Sequence, residues 1–134
     1  MEEDHDHEET LGARLIREAR LNNYSTSVEL VFPKPLTGEE LAGLLRALAE
    51  SMAEGCMKAG AGMIGHIKGR FVAEGGVIRV HLVDPKLGAE VFGELKAPVS
   101  RGSLAFLAVV QGLEKEVLER IGKEIVQRVL RGYL

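Results

Sequence analysis

The fold is decided by residues 63–84, MIGHIKGRFVAEGGVIRVHLVD. Two runs of alternating apolar and polar residues meet there at Gly75-Gly76, a dipeptide typical of the two-residue turn of a β-hairpin. Pairing the strands outward from that turn sets Phe71 opposite Val80 on one face. The same register separates the apolar from the polar residues of both strands. The sequence therefore predicts a β-hairpin with one apolar and one polar face.

The polar face of the predicted hairpin is basic, and no acidic residue interrupts it. In the predicted register Arg70 lies opposite His81. Such a face suits phosphate or carboxylate groups, a nucleic-acid backbone or the acidic side chains of another protein. It is also compatible with an ordinary solvated sheet face, or with burial in a symmetric dimer. We name this set the basic strip; its members are His66, Lys68, Arg70, Arg79 and His81.

The chain before the hairpin predicts a short helix and a strand. Residues 10–21 place leucines on one stripe of an amphipathic helix, which Asn22 and Asn23 should end. That stripe needs a surface to cover, on this chain or on another copy. Residues 27–32 alternate as a half-buried strand does, and Pro33 should end it because proline offers no N–H donor.

A capping box predicts the start of a long helix. The Thr37 side chain can accept from the amide of Glu40, whose carboxylate reaches back to the amide of Thr37. Apolar residues then recur at spacings of three and four until Gly60, which should end the helix. Cys56 lies on this core-facing stripe, so we expect a small buried hydrophobe rather than a reactive thiol.

The chain after the hairpin is less uniform. Residues 85–97 fit either a helix or a strand, and residues 98–102 are predicted as a loop. Residues 104–110 form a continuous apolar run, typical of a buried strand. Residues 114–131 predict an amphipathic helix with acids near its start and bases near its end.

This order of elements predicts an α+β fold. We expect a two-layer sandwich, in which two long helices cover one face of a mostly antiparallel sheet of three or four strands, together with a short N-terminal helix. The 134 residues contain 46% hydrophobic residues, enough for one core. Residues 10–134 are therefore expected to form a single domain, preceded by an acidic disordered tail over residues 1–9.

The predicted tail separates the charges of the chain. It holds six of the 20 acidic residues and no Lys or Arg, which leaves 17 basic against 14 acidic residues in the rest. Most such runs are solvated ends, although this one can also screen a basic body from anionic partners. His5 and His7 within it could bind a metal weakly, but a mobile segment gives no fixed geometry. We predict no functional metal site and no cofactor.

Composition excludes several classes of protein. Cys56 is the only cysteine, so an intramolecular disulfide is excluded. No apolar run approaches the roughly 20 residues that a membrane helix needs, and the chain opens with acids rather than with a signal peptide. We expect a cytoplasmic protein without a membrane partner.

A glycine pattern, Gly60-x-Gly62-x-x-Gly65, resembles the fingerprint of dinucleotide-binding loops. That chemistry needs a strand before the glycines and a helix after them. Here a predicted helix precedes and a predicted strand follows, so we expect the glycines to serve tight turns instead.

Three functions are compatible with the basic strip. The first is a non-enzymatic binding or assembly module, a homodimer, that binds an anionic ligand or an acidic partner. The second is an RNA-binding protein that contacts the backbone through Lys68, Arg70 and Arg79. The third is a small enzyme with His66 or His81 as general base, although we assign no catalytic residue from sequence.

Overall fold

An open antiparallel sheet carries the fold, which belongs to the α+β class. The computed structural model describes residues 9–18 and 20–134, without the side chains of Ile16 and Glu18. In chain order the elements of these residues are α1 (Leu11–Glu18), β1 (Leu21–Leu36), α2 (Gly38–Lys58), β2 (Met63–Ala73), β3 (Gly76–Leu82), β4 (Glu90–Leu95), β5 (Val99–Gln111) and α3 (Lys115–Val129).

The strands lie in the order β1-β5-β2-β3-β4, and every neighbouring pair is antiparallel. Helix α2 packs on β2, β3 and β4, while α3 packs on β1 and on α2. We call the sheet face under these helices the inner face and the opposite one the outer face. The predicted sandwich is only roughly matched, since the sheet is open and has five strands rather than three or four. Among the helices of residues 9–18 and 20–134, none combines the length with the apolar character that spanning a membrane would require.

Helix α2 begins and ends as the sequence predicts. The Thr37 hydroxyl accepts from the Glu40 amide at 3.0 Å, and the Glu40 carboxylate accepts from the Thr37 amide at 2.9 Å. Cys56 is fully buried, and burial raises the pKa of its thiol to about 11. Gly60 follows the helix with a φ of 101°, a conformation that glycine adopts at little cost.

The hairpin forms, but its turn differs from the prediction. Ala73 pairs with Gly76, so the two turn residues are Glu74 and Gly75 rather than Gly75 and Gly76. Gly75 has a φ of 92° and supplies the left-handed conformation. Gly76 instead lets β3 lie close to β4, because a side chain there would collide with the backbone of Glu94 on β4.

This turn corrects the predicted register by two residues. Arg70 lies opposite Arg79 rather than opposite His81, and Lys68 takes the position opposite His81. Side chains alternate between faces with a period of two, so a shift of two residues leaves every side chain on its predicted face.

Strand β1 is longer than predicted at both ends. It begins at Leu21, so Asn22 and Asn23 are strand residues, and they pair with β5. The turn from α1 is made at Arg20, with a φ of 57°, and the Asn22 side-chain amide donates to the Leu113 carbonyl at 2.8 Å. Pro33 does not end the strand, because it lies on the edge strand in the irregular stretch between Val31 and Leu36, where no residue pairs with β5 and a missing N–H costs little.

The ambiguous residues 85–97 form a turn followed by β4. The Asp84 carboxylate accepts from the Lys86 amide at 3.0 Å, which tightens the turn. The Glu50 carboxylate on α2 then accepts from the Ala89 amide at 2.9 Å and holds the segment against the helix. The strand alternative for 85–97 is therefore correct for its second half.

The predicted loop 98–102 is wrong, because β5 already begins at Val99. Pairing with Leu36 and Val31 of β1 extends the strand toward its start. On its other side Gly102 lets β5 lie close to β2, since a side chain there would collide with the ring of Phe71. The predicted strand 104–110 lies wholly within β5.

Helix α1 is held at its start, while two of its leucines are exposed. The Glu9 carboxylate accepts two hydrogen bonds from the Arg17 guanidinium, at 3.0 and 3.1 Å. Leu11 and Leu15 are 65% and 57% exposed, so the described residues supply no surface that covers them. Residues 1–8, with His5 and His7, lie outside the described residues.

Candidate functional site

The basic strip lies on the outer face of the sheet. Its members occupy alternate positions of β2 and β3, between residues that are buried on the inner face. A bulge at Gly65 shifts the pairing of β2 with β5, so that His66 lies opposite Val109 and still projects to the same side as Lys68. The five residues placed there are His66, Lys68, Arg70, Arg79 and His81.

Two arginines of the strip oppose each other directly. Arg70 and Arg79 are cross-strand partners, and both are exposed. Like charges directly opposite each other on a sheet destabilise it. Within residues 9–18 and 20–134, neither guanidinium has an ion pair with a carboxylate. The two guanidinium groups thus lie at opposite positions without a carboxylate bound directly to either of them within residues 9–18 and 20–134.

The next cross-strand row continues this charge. Lys68 lies opposite His81, directly beside the arginine pair. Partial burial lowers the pKa of His66 below its ordinary value, and the nearby Lys68 and His81 lower it further. His66 is thus favoured in its neutral form and adds little to the positive charge of the strip at neutral pH.

A groove of about 810 Å³ crosses the outer face above these residues. Its basic wall consists of Lys68, Arg70, Arg79 and His81, whereas His66 lies beyond its end. Its opposite wall is formed by β1 and its floor by β5. We call this the outer groove. Besides the basic wall, its lining includes Ser25 and Ser27 of β1, Ala105 and Leu107 of β5, and Phe92 of β4.

Acidic residues border the outer groove without entering its central row. Glu90 lies opposite His81 and Glu94 lies opposite Val77, both on β4. On the far side, the Glu29 carboxylate accepts from the Ser103 hydroxyl at 2.6 Å. The row through the arginine pair reads Ser27, Ala105, Arg70, Arg79 and Phe92 across the five strands, and it contains no acid.

Comparisons with known proteins give matches among solved structures alone. No protein-family model and no curated protein matches the chain. Among solved structures it is similar to the Zn(II)-bound YjiA GTPase from E. coli, at 14% identity and a TM-score of 0.35, over 81% of this chain and 30% of that one. A Zn(II)-bound triple mutant of the YjiA GTPase gives the same identity and TM-score over 77% and 29%. The chain spans less than a third of these GTPases, and likeness at this level carries no functional argument.

A metal site, a dinucleotide-binding loop and a catalytic histidine have less support than the outer groove. No group of three His, Cys, Asp or Glu side chains in the described ranges is placed to hold a metal ion. The glycines from Gly60 to Gly65 follow a helix and lead into a strand, as the sequence predicts, so they do not form the strand-to-helix loop that dinucleotide binding requires. The general-base hypothesis for His66 or His81 stays a prediction.

Sequence reasoning missed two parts of the outer groove. Ser25 lies before the predicted start of its strand, and Phe92 lies in the segment for which the sequence does not decide between helix and strand. One signal was available for the second part, because Glu90, Phe92 and Glu94 alternate with Val91 and Leu95 in the manner of a strand.

Proposed function

We propose that this protein is a non-enzymatic binding module whose outer groove binds an anionic ligand. The observation that carries the proposal is the directly opposed pair Arg70 and Arg79, which has no carboxylate partner among the described residues. An anion placed between the two guanidinium groups would replace repulsion by charge-assisted hydrogen bonds. A solvated outer face requires polar side chains, but it does not require two arginines at directly opposite positions.

The surroundings of the pair support binding rather than simple solvation. Lys68 adds a third charge in the neighbouring row, and the serine hydroxyls of β1 can donate to an anion from the opposite wall. Residues of β1 and of β2 and β3 line the same space, so one ligand can contact both sides of the groove. Bordering carboxylates on β1 and β4 would repel an anion from the sides and direct it to the central row.

The proposal is tested by titrating the protein with inorganic polyphosphate at low ionic strength. We expect Arg70→Gln and Arg79→Gln each to weaken binding by about tenfold, since a hydrogen bond to a charged group contributes roughly 1.5–3 kcal/mol. Arg128→Gln is the matched control, because it removes an exposed arginine from α3, away from the outer groove.

The control also separates a specific site from a general effect of net charge. If Arg128→Gln weakens polyphosphate binding as much as the two groove variants do, or if none of the proteins binds polyphosphate, the proposal is wrong. The homodimer predicted from sequence remains a prediction, and sedimentation of the same samples tests it.

A further inference from the structure

An exposed aromatic ring ends the central row of the outer groove. Phe92 lies on β4 directly opposite Arg79, and 51% of its surface is exposed. On the inner face, Phe71 is fully buried on the neighbouring part of the sheet. Phe92 is therefore not part of the hydrophobic core. A purely anionic ligand such as a phosphate would not form a favourable contact with its ring either.

The row combines two different binding chemistries at a fixed spacing. Neighbouring strands lie about 4.8 Å apart, so the row from Phe92 to Ser27 extends over about 19 Å of the outer face. Cationic groups lie between an aromatic ring at one end and a hydroxyl at the other. An extended ligand with repeated anionic groups and planar apolar groups would engage all of them.

Single-stranded nucleic acid has this chemistry. Proteins that bind it without sequence preference combine a positively charged groove along the backbone with aromatic rings on which bases stack. In a duplex the bases already stack on each other, so Phe92 would find no free base face. An acidic protein segment would match the arginines but would leave Phe92 without a planar partner.

We propose that the ligand of the outer groove is single-stranded RNA or DNA, with a base stacked on Phe92 and backbone phosphates bound by Arg70 and Arg79. This inference rests on the proposed anion-binding function and narrows its ligand to one chemical class. It also adds Phe92, which is not a member of the basic strip, to the binding residues.

The experiment measures fluorescence anisotropy of a labelled twelve-nucleotide oligouridylate or oligodeoxythymidylate, with inorganic polyphosphate titrated in parallel. We expect Phe92→Ala to weaken binding of these oligonucleotides by about tenfold, in line with the loss of one stacked base. Its polyphosphate affinity should equal that of the wild type. Leu87→Ala is the control, since Leu87 is 82% exposed and lies in the turn before β4.

The outcomes separate this inference from the proposed function. Polyphosphate binding with no effect of Phe92→Ala on the oligonucleotides would overturn the nucleic-acid inference and leave the anion site standing. Tighter binding of poly-glutamate or of duplex than of single strands would overturn it as well. Failure of every anion to bind would remove both proposals.

Discussion

The two faces of the hairpin β2–β3 carry residue pairs of different kinds, and core packing explains only one of the two pairs. On the inner face, Phe71 pairs with Ile78, and both side chains are almost fully buried under the helices. On the outer face, the adjacent pair Arg70 and Arg79 is exposed and repulsive. Packing accounts for the inner pair, whereas nothing in the fold of the described residues accounts for the outer pair. We attribute the outer pair to the anion binding proposed above.

The largest effect should come from the same substitution made on each face. Phe71→Ala removes a fully buried ring that lies 6.0 Å from the ring of Phe32, so we expect a loss of about 3–5 kcal/mol in the free energy of unfolding. Phe92→Ala removes a half-exposed ring and should cost less than about 1 kcal/mol. Urea denaturation of both variants measures the difference. Equal losses would contradict the assignment of Phe92 to the ligand rather than to the core.

The next effect compares two helical glycines. A side chain at Gly122 of α3 would come within 2.6 Å of the ring of Tyr24 on the inner face, so Gly122→Ala should destabilise the protein by about 1–3 kcal/mol. At Gly43 of α2 nothing lies within 4 Å, and Gly43→Ala should stabilise it by roughly 0.5–1 kcal/mol. Thermal unfolding of the two variants shows whether each substitution lowers or raises the stability. A stable Gly122→Ala variant would show that α3 does not pack closely on β1.

The smallest effect concerns the end of the basic strip. Since the pKa of His66 is lowered in the folded protein, the unfolded chain takes up its proton at higher pH than the folded one. The stability due to neutral His66 is therefore full above about pH 6.5 and is lost as the pH falls through the lowered folded value. We expect wild type to lose more stability than His66→Gln between pH 7.5 and about pH 5 in phosphate-free buffer. Parallel pH profiles of the two proteins would refute this.

The sequence predicted the faces of the hairpin correctly and its turn incorrectly. Two consecutive glycines fit a turn at either position, so local rules could not choose between them. The choice depends on β4, because Gly76 must lie close to the backbone of Glu94. The predicted face of each side chain is still correct, because only an odd register shift moves side chains to the opposite face of the sheet.

Ser25 and Phe92 could not be predicted as site residues, because their positions also depend on strand pairing between distant parts of the chain. Ser25 belongs to the groove because the first residues of β1 pair with β5, about 80 residues away. Phe92 belongs to it because β4 pairs with β3 and so places the ring beside Arg79. Local patterns of charge and hydrophobicity predicted the basic wall, while the opposite wall and the aromatic end depend on pairing between distant parts of the chain.

The central claim is that Arg70 and Arg79 repel each other until an anion binds between them. A double-mutant cycle with Arg70→Gln, Arg79→Gln and the double variant measures this coupling directly from free energies of unfolding. At low ionic strength without a multivalent anion, we predict an unfavourable coupling of about 0.2–1 kcal/mol between the two arginines, which becomes favourable when polyphosphate is added. A coupling of zero that polyphosphate does not change would contradict the account.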